Sequence, residues 1–130
     1  MEFTRRIELD IPYDDAITRV KDALKDQGFG ILTEIDVRQT LKEKLDIDVE
    51  PQIILGACNP QLAHRALQID PRVAALLPCN VVVRTEQGST IVEALDPKII
   101  ADVPGNAGLV PIAEEAGQRI QAALDALGSA

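Results

Sequence analysis

"Asn-Val-Val-Val-Arg-Thr-Glu-Gln-Gly-Ser-Thr-Ile-Val-Glu-Ala-Leu", residues 80–95, decides the fold. Two β-rich runs, 80–85 and 90–95, flank Glu86-Gln87-Gly88-Ser89, a turn-forming tetrad, so the stretch reads as a β-hairpin. Upstream, residues 52–57 carry an unbroken Ile53-Ile54-Leu55, which predicts a third strand buried on both faces. Asn59 then caps a helix with Pro60 at its first position, and that helix buries Leu62, Ala63, Ala66 and Leu67. Nearer the N-terminus, Phe3, Arg5, Ile7, Leu9 and Ile11 alternate with Thr4, Arg6, Glu8 and Asp10 as a first strand that Pro12 ends. From Tyr13 to Gln27 the stripe Ala16, Ile17, Val20, Ala23 and Leu24 predicts a helix stopped by Gly28. A second strand over 29–37 and a short helix over 38–45 complete that half.

Past the hairpin, Asp96-Pro97 breaks the pattern and Pro104-Gly105-Asn106 marks a loop. A last helix over 109–127 carries Ile112, Ala113, Ala116, Ile120, Ala123, Leu124 and Leu127 on one face. A hairpin among helical crossovers predicts an α+β two-layer sandwich: a mixed or mostly antiparallel sheet of about five strands, with helices packed on one face. The length of 130 residues suits a single domain over 1–130. The third and fourth strands belong in the middle of the sheet, which leaves the first strand or the 90–95 strand at an edge.

Composition excludes several function classes. Aromatic residues make up only 2%, namely Phe3, Tyr13 and Phe29, so stacking platforms for single-stranded nucleic acid are nearly absent. The net charge of −8, from 21 acidic against 13 basic side chains, repels phosphate backbones. No nucleic acid is expected as a partner. No apolar run approaches the ~20 residues of a membrane span, and the N-terminus lacks the apolar stretch of a signal peptide. Two cysteines are too few for a disulfide scaffold, so the cytoplasm is the expected compartment.

Four stretches in order carry a family likeness: Gly28–Val37, Thr40–Leu45, "Ile-Leu-Gly-Ala-Cys-Asn-Pro-Gln-Leu-Ala" at 54–63, and "Leu-Leu-Pro-Cys-Asn-Val-Val-Val" at 76–83. Together they resemble the small bacterial and archaeal family called domain of unknown function three-hundred-and-two. The resemblance implies a compact α+β domain, often dimeric, with no established activity. This chain departs from that pattern at Asp46, where a glycine often follows the short helix, and at Gln52, where an aromatic often follows the loop proline.

Both cysteines precede an asparagine, as Cys58-Asn59 and Cys79-Asn80. Cys58 ends a strand just before a helix N-cap, where free N–H groups lower a thiol pKa if the sulfur faces them. The alternative is a thiol that packs as a small apolar side chain. The two thiols sit at one end of the sheet if the third and fourth strands run antiparallel, and about a strand length apart if they run parallel. His64, the sole histidine, lies off the apolar centre of its helix. With no Cys-x-x-Cys spacing and no fourth ligand, neither a metal nor any other cofactor is expected.

Glu34 and Asp36 project from one strand face, with Thr40 and Lys42 on the helix that follows. Such carboxylates serve acid–base chemistry when their environments differ, or a solvated face when they do not. Gly28-Phe29-Gly30 lacks the third glycine of a dinucleotide fingerprint, and the 104–108 loop lacks a phosphate-loop lysine. The sequence therefore points first to a non-catalytic binding or regulatory module, a homodimer that binds a small ligand or another protein. Its ligand-binding candidates are Cys58, Asn59, Cys79, Asn80, Glu34, Asp36 and Lys42. The alternative is a thiol protein that handles sulfur or redox equivalents through Cys58 with Cys79. Hydrolysis or isomerisation by Glu34, Asp36 and Lys42 ranks last, because no nucleophile or oxyanion hole accompanies them. Charges on the first strand discourage edge pairing, so association through the sheet face or the Ala-rich last helix is expected.

Overall fold

Gln87 and Gly88 join β4 (Cys79–Glu86) to β5 (Ser89–Leu95) in the computed structural model, which describes residues 2–128. Both turn residues have positive φ, 51° and 86°, and such a turn matches the right-handed twist of the strands it joins. Outward from the hairpin, β1 (Thr4–Leu9) pairs with β5, β3 (Gln52–Cys58) pairs with β4, and β2 (Gly30–Asp36) pairs with β3. Every neighbouring pair is antiparallel, so the sheet is antiparallel throughout.

The order β1-β5-β4-β3-β2 resolves the alternative left open: the first strand is the edge on that side, the 90–95 strand is interior, and β2 is the other edge. Its residues explain the placement. Ile91, Val92 and Ala94 are all buried, so β5 carries apolar side chains on both faces and suits a position between two partners. Edge strand β2, by contrast, has no buried residue and carries a register shift between Ile31 and Thr33. That irregularity blunts an edge that has no lysine or proline to protect it.

One face of the sheet holds the main core. Helix α1 (Tyr13–Asp26) buries Ala16, Val20, Ala23 and Leu24, a stripe at helical spacing, against Leu55, Val81, Val83 and Val92. Gly28 ends it at φ 86°, while the Phe29 amide donates back to the Leu24 carbonyl at 3.0 Å. Helix α5 (Val110–Gly128) lies beside α1 and buries the whole predicted stripe from Ile112 to Leu127. Arg5 reaches from β1 beneath α5, donating to the Gly117 carbonyl at 3.1 Å and to Gln121 Oε1 at 3.2 Å, and pairing with Asp96 at 3.2 Å. A Cβ on residue 117 would stand 2.9 Å from the guanidinium, which is why a glycine interrupts this helix.

A second core closes one end of the sheet. It joins Leu62 and Ala66 of α3 (Pro60–Ile69), Val73 of a 3-10 turn (Pro71–Leu76), Ile100 of α4 (Ile99–Asp102), Leu109, and the first turns of α5. The turn at 71–76 lacks the 3.6-residue period that reveals a helix in sequence. Asp70 starts it by accepting the Arg72 amide at 3.0 Å and the Arg72 guanidinium at 2.7 Å, bonds that hold its carboxyl below the usual range. Helix α2 (Val37–Leu45) is capped by Asp36, which accepts the Gln39 amide at 2.9 Å, and buries no residue. It ends at Asp46 with φ 53°, a left-handed cap that glycine adopts most easily.

Among the described residues, α1 and the second half of α5 pack in the main core, while α2, beside β2 and β3, buries none. On the other face of the sheet Gly56 lies between Thr33 and Pro78, and a Cβ there would run into the Thr33 hydroxyl and stand 2.9 Å from the Pro78 ring. Gly56→Ala should therefore destabilise the fold by about 1–3 kcal/mol. Urea denaturation measures this, and Thr33→Ala in the same chain should recover part of the loss.

Candidate functional site

Strand β3 ends at Cys58, and Asn59 turns the chain into α3 by accepting the Leu62 amide at 3.2 Å. The chain then passes through α3 and the 71–76 turn before β4 opens at Cys79. Antiparallel pairing sets Ala57 directly opposite Cys79, which places both cysteines at one end of the sheet. The two thiols line a single cavity of about 30 Å³, walled by Phe29, Leu62, Ala66, Leu77 and Ile100 among others. That volume accommodates about one water, and metabolite pockets are roughly tenfold larger. Cys79 is 6% exposed, whereas Cys58 is half-buried, so one thiol faces the interior and the other reaches the mouth.

The electrostatics run against a reactive nucleophile. Burial pushes the Cys79 thiol up to about 11, with the neighbouring Cys58 adding to the rise. Burial also pushes Cys58 up, and not down as a helix N-terminus would. The local chemistry explains the direction. Pro60 has no N–H to offer, the Leu62 amide is taken by the Asn59 side chain, and the Ala63 amide by the Asn59 carbonyl. The start of α3 has spent most of its donors on its own cap.

The shared Cys-Asn spelling serves two different local roles. Asn59 is an N-cap, whereas Asn80 lies exposed across from Gly56, and strand alternation sends it to the face opposite Cys79. His64 is exposed on α3 and lines no part of the cavity. Among the described residues, no group of three or more His, Cys, Asp or Glu could hold a metal ion. Loop 104–108 is a connector: Asn106 accepts the Gly108 amide at 2.9 Å and starts a 3-10 turn into α5.

Glu34, Asp36 and Lys42 do not converge. Glu34 pairs with Lys21 of α1 at 2.9 Å, and Asp36 is occupied as the α2 cap. Lys42 pairs instead with Asp46 at 2.9 Å and Asp48 at 3.5 Å, while Thr40 donates to the Asp36 carbonyl at 2.8 Å. All three side chains sit at exposed positions, where such pairs contribute little. Sequence reasoning missed Leu77 and Ile100, which wall the cavity from segments that show no period. The Asp70-Pro71 pair, a cap followed by a first-turn proline, is the signal that marks the start of one of them.

Cys79 gives the cavity a measurable pH dependence. Between the ordinary thiol range and about 11, an unfolded chain loses the Cys79 proton while the folded chain keeps it. Stability should therefore fall as pH rises through that window, by roughly 2–3 kcal/mol. Urea denaturation at about pH 8 and about pH 10.5 measures the slope. It should be shallower in Cys79→Ala by that amount, and below pH 8 the two slopes should agree.

The comparisons with known proteins agree with this architecture. A crystal structure of an uncharacterized conserved DUF302 protein from Bacillus stearothermophilus superposes with a TM-score of 0.91 at 32% identity, covering 98% of this chain and 99% of that one. No curated protein matches the chain. The family model for the domain of unknown function DUF302 matches residues 5–127, and the chain belongs to that family.

Proposed function

We infer that this chain is a binding module that works as a homodimer, joined through the open face of its sheet. One observation carries the reading: the β2–β3–β4 half of that face bears an apolar row that is exposed at β2 and half-buried at Ile54 and Val82. By register, Ile35, Ile54 and Val82 stand in a row across three strands, with Leu32 beside them at the bulge. Ile35 is 47% and Leu32 64% exposed. An exposed apolar row of this kind marks an interaction surface.

The other half of the same face supports a rim. Glu93 accepts from Thr4 at 2.7 Å and from Arg84 at 2.7 Å, and Glu86 bridges Arg84 and Arg6. An apolar centre beside an ion-paired border is the anatomy of a protein interface. Both signs of charge occur in that border, so a two-fold axis can set each Arg against a Glu of its mate. The accessible surface, 7340 Å², exceeds the about 6,700 Å² expected of a monomer of this mass. A small-ligand cleft then belongs near the subunit boundary, since the cavity inside one chain admits little more than a single water.

The thiol reading draws on a different observation, the two cysteines on one cavity. Burial raises both thiol pKa values, which disfavours nucleophilic attack at neutral pH; the pair of sulfurs on one cavity is what supports a soft ligand there.

Light scattering should return twice the 14.1 kDa chain mass at micromolar concentrations. Ile54→Asp and Val82→Asp should each give a folded species of single-chain mass, with circular dichroism unchanged. A wild-type mass of 14.1 kDa across that range would remove the dimer.

A further inference from the structure

We propose that Cys58 and Cys79 form a binding site for one monovalent soft cation, Cu(I), held between two thiolates. The site stands apart from the sheet-face dimer and is complete within one chain. Three observations converge on it: the antiparallel register that brings both cysteines to one end of the sheet, the size of the cavity they both line, and what else lines it.

A cavity of about 30 Å³ suits a single atom and excludes a metabolite. Its lining offers two sulfurs, aliphatic side chains, the Phe29 ring and Asn59, with no carboxylate or imidazole. Hard cations need oxygen ligands, and zinc needs three or four protein ligands in tetrahedral array. Neither finds them, since no third His, Cys, Asp or Glu joins the pair among the described residues. Thiolate ligands select Cu(I) among biological cations, and two suffice for a linear complex. Half-buried Cys58 provides the entry, and buried Cys79 provides the interior ligand.

The chemistry balances without a redox step. Two S–H bonds break, two S–Cu bonds form, both protons pass to solvent, and copper remains monovalent. The product carries one negative charge. Asn59 lines the cavity, and Arg119 stands near Asn59 at Gly28, where an added Cβ would lie 3.0 Å from Asn59 Nδ2 and 3.5 Å from Arg119 Nη1. Arg119 is itself held by Glu115 at 3.3 Å and by the Gln27 carbonyl at 3.1 Å. On the other packed elements, Arg65 pairs with Glu115 at 3.5 Å, and His64, Asp102 and Glu114 are exposed. The cation also supplies the charge that a lone buried thiolate lacks, so burial that suppresses nucleophilicity leaves this binding mode open.

Anaerobic competition tests the site: the reduced full-length chain is titrated into Cu(I) bicinchoninate. One Cu(I) per chain should move to the protein, with two sulfur neighbours by X-ray absorption. Because two protons leave, apparent affinity should tighten about 100-fold between pH 7 and pH 8. Cys79→Ser should weaken binding at least 100-fold, and so should Cys58→Ala, whose partly exposed position keeps the test open if the first variant does not fold. Copper that stays with the chelator overturns the proposal. So does a folded Cys58→Ala variant that keeps wild-type affinity, or a pH slope of one proton or fewer.

Discussion

The register of β3 against β4 is the constraint on which the rest depends. Ala57 faces Cys79, Leu55 faces Val81, and Ile53 faces Val83, so three consecutive inward pairs form the floor of the core. A slip of one residue would turn every one of these side chains to the open face. It would also separate the thiols and move Gly56 out from between Thr33 and Pro78. Because both strands meet this end of the sheet, residues 59–78 must leave it and return to it. Helix α3 and the 71–76 turn do so, and in returning they roof the cavity.

Helix α5 couples the two cores that this register creates. Its first half, Ile112, Ala113 and Ala116, belongs to the cluster over the sheet end, and its second half, Ile120 to Leu127, packs on α1 and the sheet face. Arg5 fixes where the helix crosses β1, through Gly117, Gln121 and Asp96. Partly buried pairs of this kind add little net stability, because desolvation offsets most of the attraction. Their contribution is to position: a guanidinium with three partners on two elements tolerates one placement of α5 well and others poorly.

Where apolar spacing is regular, the sequence was legible. The stripes of α1 and α5, the capped start of α3 and the hairpin at 86–89 all lie where periodicity and turn chemistry put them. Strand order was not, because it depends on which edges meet, and single strands carry that information weakly. Only in hindsight does the doubly apolar Ile91-Val92 mark β5 as interior. The 3-10 turn and α4 were invisible because they are too short for a helical period. At the site, sequence singled out both cysteines and left their separation open, while strand direction decided it. Alternation likewise put Glu34 and Asp36 on one face, and there each meets a partner of its own, which single-strand periodicity does not reveal.

The two faces of the sheet follow from one shortage. With almost no aromatic side chains, the core is filled by Ala, Val, Leu and Ile, and small residues let α1 and α5 lie close to the strands. Close packing consumes helix surface on one face and leaves none for the other. The short α2 cannot cover that face, since it buries no residue of its own. The uncovered row from Ile35 to Val82 is then what remains when two long helices serve a five-stranded sheet. Further apolar surface is exposed at the end of α2, where Leu45 and Ile47 are 62% and 43% exposed. Burial of that surface by another chain supplies the cover that a third long helix would otherwise provide.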